Sequence, residues 1–196
     1  MSEEKASPKK GIIRDWTETI IVALVLALII RAFVIQVFFI PSGSMIPTLD
    51  IGDRLIVNKF IYKFHQPQRF DIMVFEYPYN KLSDGHNMTM ESLKKWVGLP
   101  NDLKDFIKRV IGLPGETIQV KDGQVYINGK LLGEKHLLNR DVSDFGPYKI
   151  PDDGYFMMGD NRGNSADSRV WGYMPKKYIA GPAVFRIWPL SRFGVI

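Results

Sequence analysis

The chain has 196 residues, 45% hydrophobic and 24% charged; that is enough for one membrane-length segment plus one compact domain, too short for two independent cores and too apolar for a disordered chain. It has no cysteine, which excludes disulfides, thiolate metal sites and a cysteine nucleophile, and leaves any catalysis to Ser, Thr, Lys, Asp, Glu or His. The formal charge of +5 is mild, and with no basic tract among stacking aromatics, no helix-turn-helix and no zinc-finger spacing, nucleic acid is set aside as a partner.

In chain order, residues 1–15 are polar and carry Lys5, Lys9, Lys10 and Arg14. From Trp16 the chain is apolar almost without interruption to Ile30, is broken by Arg31, and resumes from Ala32 to Ile40. Trp16 to Phe33 is 18 residues, about 27 Å as a helix, close to the roughly 30 Å of a hydrocarbon core. The reading is a transmembrane signal-anchor helix over residues 16–37. A cleaved leader would have a shorter apolar stretch and a small-residue site after it, whereas bulky Phe33, Val34, Ile35, Val37 and Phe38 follow here. Arg31 can extend its guanidinium to the headgroups and so marks one end of the span. The basic tail places residues 1–15 in the cytoplasm and everything after Arg31 outside the cell membrane.

Beyond the anchor the rhythm changes to short β-like runs at Arg54–Asn58 and at residues 71–77, 106–111, 116–120, 124–128, 155–158 and 183–188. Asp122-Gly123 between two β-branched stretches is a strong hairpin signal, and Asn128-Gly129 supplies a second turn. Residues 80–105 read as an excursion from the sheet, with a short amphipathic helix from Thr89 to Val97. The fold class is therefore mainly β: one N-terminal transmembrane helix, then a mostly antiparallel β-sheet domain over residues 38–196. His65, His86 and His136 have no metal-ligand spacing and read as surface or loop residues. Trp171, Trp188, Phe185 and Phe193 fit either a bilayer interface or the core.

Three segments concentrate reactive or conformationally unusual residues: Pro41-Ser42-Gly43-Ser44-Met45-Ile46-Pro47-Thr48-Leu49, residues 106–115 around Lys108-Arg109, and Gly159-Asp160-Asn161-Arg162-Gly163-Asn164-Ser165-Ala166-Asp167-Ser168-Arg169. Taken singly they are a turn, a strand with a solvent-facing lysine and a polar loop. Together, in this order and after an anchor, they resemble the three signature boxes of the bacterial type I signal peptidases, the leader peptidases. The resemblance covers the anchor and most of the domain.

The resemblance implies a membrane-bound serine endopeptidase that cuts signal peptides from exported preproteins after a small-x-small motif, on a catalytic β domain of the signal-peptidase type. It makes Ser44 the nucleophile and Lys108 the general base, and it implies no cofactor or metal. Ser42 would add an oxyanion donor and Ser165 would orient the lysine. Arg109, Asp160, Asp167 and Arg169 would support the site through ion pairs, with Asp160 as partner of Arg109. Phe38, Ile40, Met45 and Ile107 would line pockets for small substrate side chains. Gly163 stands where many members carry an acidic residue. The implied partners are preproteins with signal peptides, the lipid bilayer and, further off, the secretion machinery.

The chemistry asks something specific of Lys108. A lysine ordinarily titrates near 10.4, so a base working at pH 7 to 8 needs a depression of roughly 2 to 3 units, which desolvation on the buried face of an apolar strand would supply. Two rivals stand beside this reading. Self-cleaving repressors of the SOS type also pair Ser with Lys, but they are soluble and carry a DNA-binding module. A non-catalytic, membrane-tethered β module that recruits a partner through a sheet edge would need the three boxes to coincide by chance.

Overall fold

A computed structural model describes residues 11–76, 105–137 and 141–196. The excursion at residues 80–105, its Thr89–Val97 helix and His86 lie outside the described residues, apart from Asp105, which opens a strand.

Gly11 precedes a single long helix, α1 (Ile12–Phe33, 22 residues). Its carbonyl accepts from the Arg14 and Asp15 N–H groups, and Asp15 lies in the first turn, where a carboxylate opposes the positive end of the helix dipole. Ile20, Ile21, Val22, Leu24, Val25, Leu26 and Leu28 are all exposed. At 100° per residue these positions face every side of the helix, so no protein core covers them. Among the described residues, no helix is long and apolar enough to cross a membrane.

The helix stops earlier than the expected residue 37. Val34 closes it by donating to the Ile30 carbonyl, and the next five residues form strand β1 (Ile35–Phe39). The cause lies in the sequence: Val34, Ile35 and Val37 are β-branched and Phe38 and Phe39 aromatic, residues suited to a pleated surface. β1 pairs antiparallel with β2 (Arg54–Asn58), Phe38 facing Leu55.

The larger sheet has the order β1-β2-β11-β3-β4-β9-β10, with β12 added beside β11. Its other members are β3 (Ile72–Glu76), β4 (Asp105–Gly112), β9 (Gly154–Met158), β10 (Met174–Pro175), β11 (Ile179–Trp188) and β12 (Gly194–Val195). The four-stranded sheet runs β7-β6-β5-β8, from β5 (Thr117–Lys121), β6 (Gln124–Ile127), β7 (Lys130–Leu131) and β8 (Phe145–Lys149). The pairings are antiparallel throughout, so the mainly β expectation holds. Asp122 and Gly123 turn the β5–β6 hairpin with φ of 50° and 70°, the left-handed pair that a two-residue hairpin loop requires.

Alternation along the strands divides the buried side chains into clusters. Ile40, Met45, Leu49, Leu55, Val57, Ile72, Val74 and Ile107 form one; Met73, Phe75, Val110, Tyr155, Met157 and Met174 form another. Adjacent residues of β3 therefore serve opposite faces, as the period of two dictates. A third cluster, with Ile118, Val125, Ile150 and Phe156, joins the smaller sheet to the end of β4 and β9. Of the four aromatics with two readings, Trp171 packs on Phe75 at 5.8 Å between ring centroids, whereas Trp188 and Phe193 are exposed and Phe185 is half-buried against Phe193.

Candidate active site

The connection between β1 and β2 makes a single 3-10 turn at Gly43–Met45. Ser42 enters it in extended conformation and is exposed, while Ser44 and Met45 are buried. Met45, Ile40 and Ile107 fall in one apolar cluster with Phe38 packed against it, so the four residues assigned to substrate pockets are neighbours.

β4 brings the lysine to this turn. Lys108 stands opposite Met73 of β3 and is 3% exposed. Its Nζ lies 2.8 Å from Ser44 Oγ and donates to the Ile107 carbonyl at 3.0 Å. The Phe106 ring, on the same face of the strand, is 5.9 Å away. Burial pushes the amine down from the ordinary lysine value to about 8, and the Asp167 and Asp160 carboxylates pull weakly the other way. A charged ammonium here has hydrocarbon where water would be, which is the physical origin of the shift.

The next residue faces the other way and is treated differently. Arg109 is also buried, but its Nε and Nη2 donate to the two Asp160 oxygens at 2.8 and 2.7 Å, its Nη1 to the Phe70 carbonyl at 2.8 Å and its Nη2 to Thr48 Oγ1 at 3.2 Å. Thr48 Oγ1 in turn donates to Asp160 Oδ2 at 2.5 Å. The paired fork satisfies the guanidinium in the geometry that suits Arg and not Lys. The anticipated Arg109–Asp160 pair is therefore present.

Residues 159–169 wrap over the Gly43–Met45 turn. Asp167 caps α2 (Ser168–Trp171), accepting from the Arg169 N–H and from Arg169 Nε at 2.9 Å, and it accepts the Gly159 N–H at 3.1 Å. Arg169 also reaches Asp141 at 2.7 Å. The approach of this loop is close: a Cβ on Gly159 would lie 2.5 Å from the Ser44 carbonyl oxygen and 2.3 Å from Ser165 Oγ, so only glycine fits there. Among the described residues Ser165 Oγ is buried without a hydrogen-bond partner, and thus makes no bond to Lys108.

Three contributors escaped the sequence reading. Arg162 is buried, donates to the Gly159 carbonyl at 3.0 Å and forms an ion pair with Glu134 from the loop after β7. Thr48 joins the Arg109–Asp160 pair. Asn161 donates its backbone N–H to the Ser44 carbonyl at 3.1 Å and its Nδ2 to the Gly43 carbonyl at 3.1 Å. Box position singled out none of them, because each depends on which loop packs on which turn; an asparagine one residue after the acidic member of a polar loop was the one available signal.

Among the described residues the buried Lys108 amine bonds to no carboxylate and touches a buried serine hydroxyl, the contact that a nucleophile-and-base pair would need. Residues 13–188 match the family described as signal peptidase, peptidase S26. The chain belongs to the signal peptidase family. It is accordingly a peptidase, a hydrolase of the serine-protease kind. It is 41% identical over 195 residues to a probable signal peptidase I-2 of Synechocystis, covering 100% of this chain and 82% of that one. It is 47% identical to signal peptidase I of Leptolyngbya laminosa, over 90% of this chain and 80% of the relative, and 38% identical to signal peptidase I of Bacillus licheniformis over 97% of each. Among the described residues of this signal peptidase chain, no group of His, Asp and Glu is arranged to hold a metal ion.

Proposed function

We propose that this chain is a membrane-bound endopeptidase that removes N-terminal signal peptides from exported preproteins, with Ser44 as nucleophile and Lys108 as general base. The observation that carries the reading is the 2.8 Å contact between the Ser44 hydroxyl and an amine titrating near 8. With that value roughly one molecule in ten holds neutral Lys108 at pH 7. In the neutral amine one N–H stays on the Ile107 carbonyl, and the lone pair faces Ser44. The hydroxyl proton passes to Nζ as Oγ attacks the scissile carbonyl; Nζ then protonates the departing amine, and water releases the acyl group with Lys108 again as base. The Ser44 N–H, with the Ser42 hydroxyl, meets the oxyanion. Phe38, Ile40, Met45 and Ile107 select small side chains before the cut. Asp160, Asp167, Arg109 and Arg169 hold the loop and strand in register.

The membrane assignment rests on the exposed apolar side chains of α1 from Ile20 to Leu28 and on the largely apolar stretch from Trp16 to Phe33, which Glu18 and Arg31 interrupt. Residues 1–15 face the cytoplasm and the β domain the outer side, the anchor ending at Phe33 where the helix ends. Preproteins and the bilayer are the partners, and the secretion machinery is a further one.

The test uses the purified full chain and a leader-bearing preprotein. Cleavage after a small-x-small motif is expected, with Ser44→Ala and Lys108→Ala each losing more than about a thousandfold in turnover while keeping the circular dichroism of the parent. Full activity in either variant overturns the dyad. Protease added to spheroplasts should reach the β domain and not residues 1–15.

A further inference from the structure

The structure assigns Asn161 a role in positioning the oxyanion donor: we infer that it fixes both peptide units flanking Ser44 and so aims the Ser44 N–H. The inference rests on the reading of Ser44 as nucleophile and deepens it.

A peptide unit is planar and, when trans, its C=O and N–H point in opposite directions. The Gly43 carbonyl and the Ser44 N–H belong to one such unit. Asn161 Nδ2 donates to that carbonyl at 3.1 Å, so the Ser44 N–H is directed away from Asn161. The Ser44 carbonyl belongs to the following unit, and the Asn161 backbone N–H donates to it at 3.1 Å. One residue therefore sets the planes on both sides of the Ser44 Cα. Once both planes are fixed, the origin of the Ser44 side chain and the direction of its N–H are fixed together. A 3-10 turn of three residues cannot supply this by itself: within it the Gly43 carbonyl receives the Ile46 N–H at a longer 3.3 Å.

The other half of the amide shows which function the site uses. Asn161 is buried, yet among the described residues its Oδ1 has no hydrogen-bond partner. A buried unpaired acceptor is unfavourable, so the residue is not explained as a stabilising hydrogen-bond hub; the donor Nδ2 is what meets the nucleophile turn. Gly159 lets the loop come close enough, its missing Cβ leaving room for the Ser44 carbonyl. Oxyanion donors act only when already in place as charge develops, and losing one costs about a hundred- to a thousandfold in kcat. Loosening one without deleting it should cost less.

Asn161→Leu keeps the branched shape and neutrality, removes the Nδ2 donor and also removes the orphan acceptor. The expected result in the full chain on a preprotein substrate is a fall in kcat of about ten- to a hundredfold, with KM within about twofold and the pH midpoint of the acidic limb unmoved. The melting temperature should match or exceed the parent. A merely structural role would lower the melting temperature and leave the plateau kcat of the folded fraction intact, and that result overturns the inference. Asn161→Ala is run beside it; if both variants fail to fold, the role is structural and the inference falls. Ser44→Ala separates the two levels: if it is inactive while Asn161→Leu equals the parent, only the positioning role is lost, and if Ser44→Ala is active, the nucleophile assignment itself fails.

Discussion

The two faces of β4 carry adjacent cations with almost equal burial, Lys108 at 3% and Arg109 at 5% exposed, and opposite electrostatic fates. On one face the guanidinium is held by two bonds to Asp160, so its charge is paired and the strand is tied to the 159–169 loop. On the other face the amine's partners among the described residues are a hydroxyl and a carbonyl, so its charge is what burial penalises. The difference teaches that seclusion from water does not make a base. Burial lowers the pKa of a cation most where no carboxylate bonds to it.

The comparison is broken most severely on the Arg109 face. Asp160→Asn leaves a buried guanidinium without its counter-charge, and unfolding by denaturant should show a loss of about 3–5 kcal/mol, the cost of removing one partner of a buried pair. Breaking the Lys108 face should do the reverse. Lys108→Met abolishes turnover but removes a penalised charge, and stability at pH 7 should rise by about 1–3 kcal/mol.

That gain has a defined pH window. The folded-state value near 8 lies below the unfolded value of 10.5, so the unfolded chain binds more protons between them and stability climbs with pH there. The penalty is present in full below pH 8 and gone above 10.5, and the excess stability of Lys108→Met should fade over that interval. A constant excess from pH 7 to 11 would contradict the shift.

Two smaller effects sharpen the contrast. The acidic limb of the kcat/KM profile should have its midpoint near 8, reporting Lys108 in the free enzyme. Because the Asp160 carboxylate raises the lysine value from a distance, the folded fraction of Asp160→Asn should show that midpoint displaced to lower pH. A midpoint unchanged or moved upward would mean that the two faces do not communicate.

What could be read from the sequence follows from how local each signal is. The Asp122-Gly123 turn is a two-residue statement and appears as read, and Arg54–Asn58 is a strand with the expected bounds. β1 was hidden because its alternation continues an apolar run begun by the helix, and hydropathy alone does not distinguish the two. β8 was hidden by Gly146 and Pro147, ordinarily strand breakers; it lies at the edge of its sheet, where a missing N–H is tolerated. β7, β10 and β12 have two residues each, too few for any period to register. In the candidate site, the contact of Ser44 with Lys108 and the Arg109–Asp160 pair were legible because box order fixes which segments meet. The Arg162–Glu134 pair and the Asn161 bonds were not, since they depend on the path of loops between distant elements. Ser165, expected to orient the lysine, has its hydroxyl buried beside Gly159 without a partner among the described residues, a geometry that no motif discloses.

The joint between α1 and β1 has its own consequence. Val34 alone separates them; its N–H is tied back to Ile30 and its carbonyl receives the Lys59 N–H at 2.8 Å. A tether of that kind has no slack. With the helix embedded as proposed, the serine would ride at a set height over the lipid, a gauge measured out by one strand and one turn, and cut position would follow from rigid length as much as from side-chain taste.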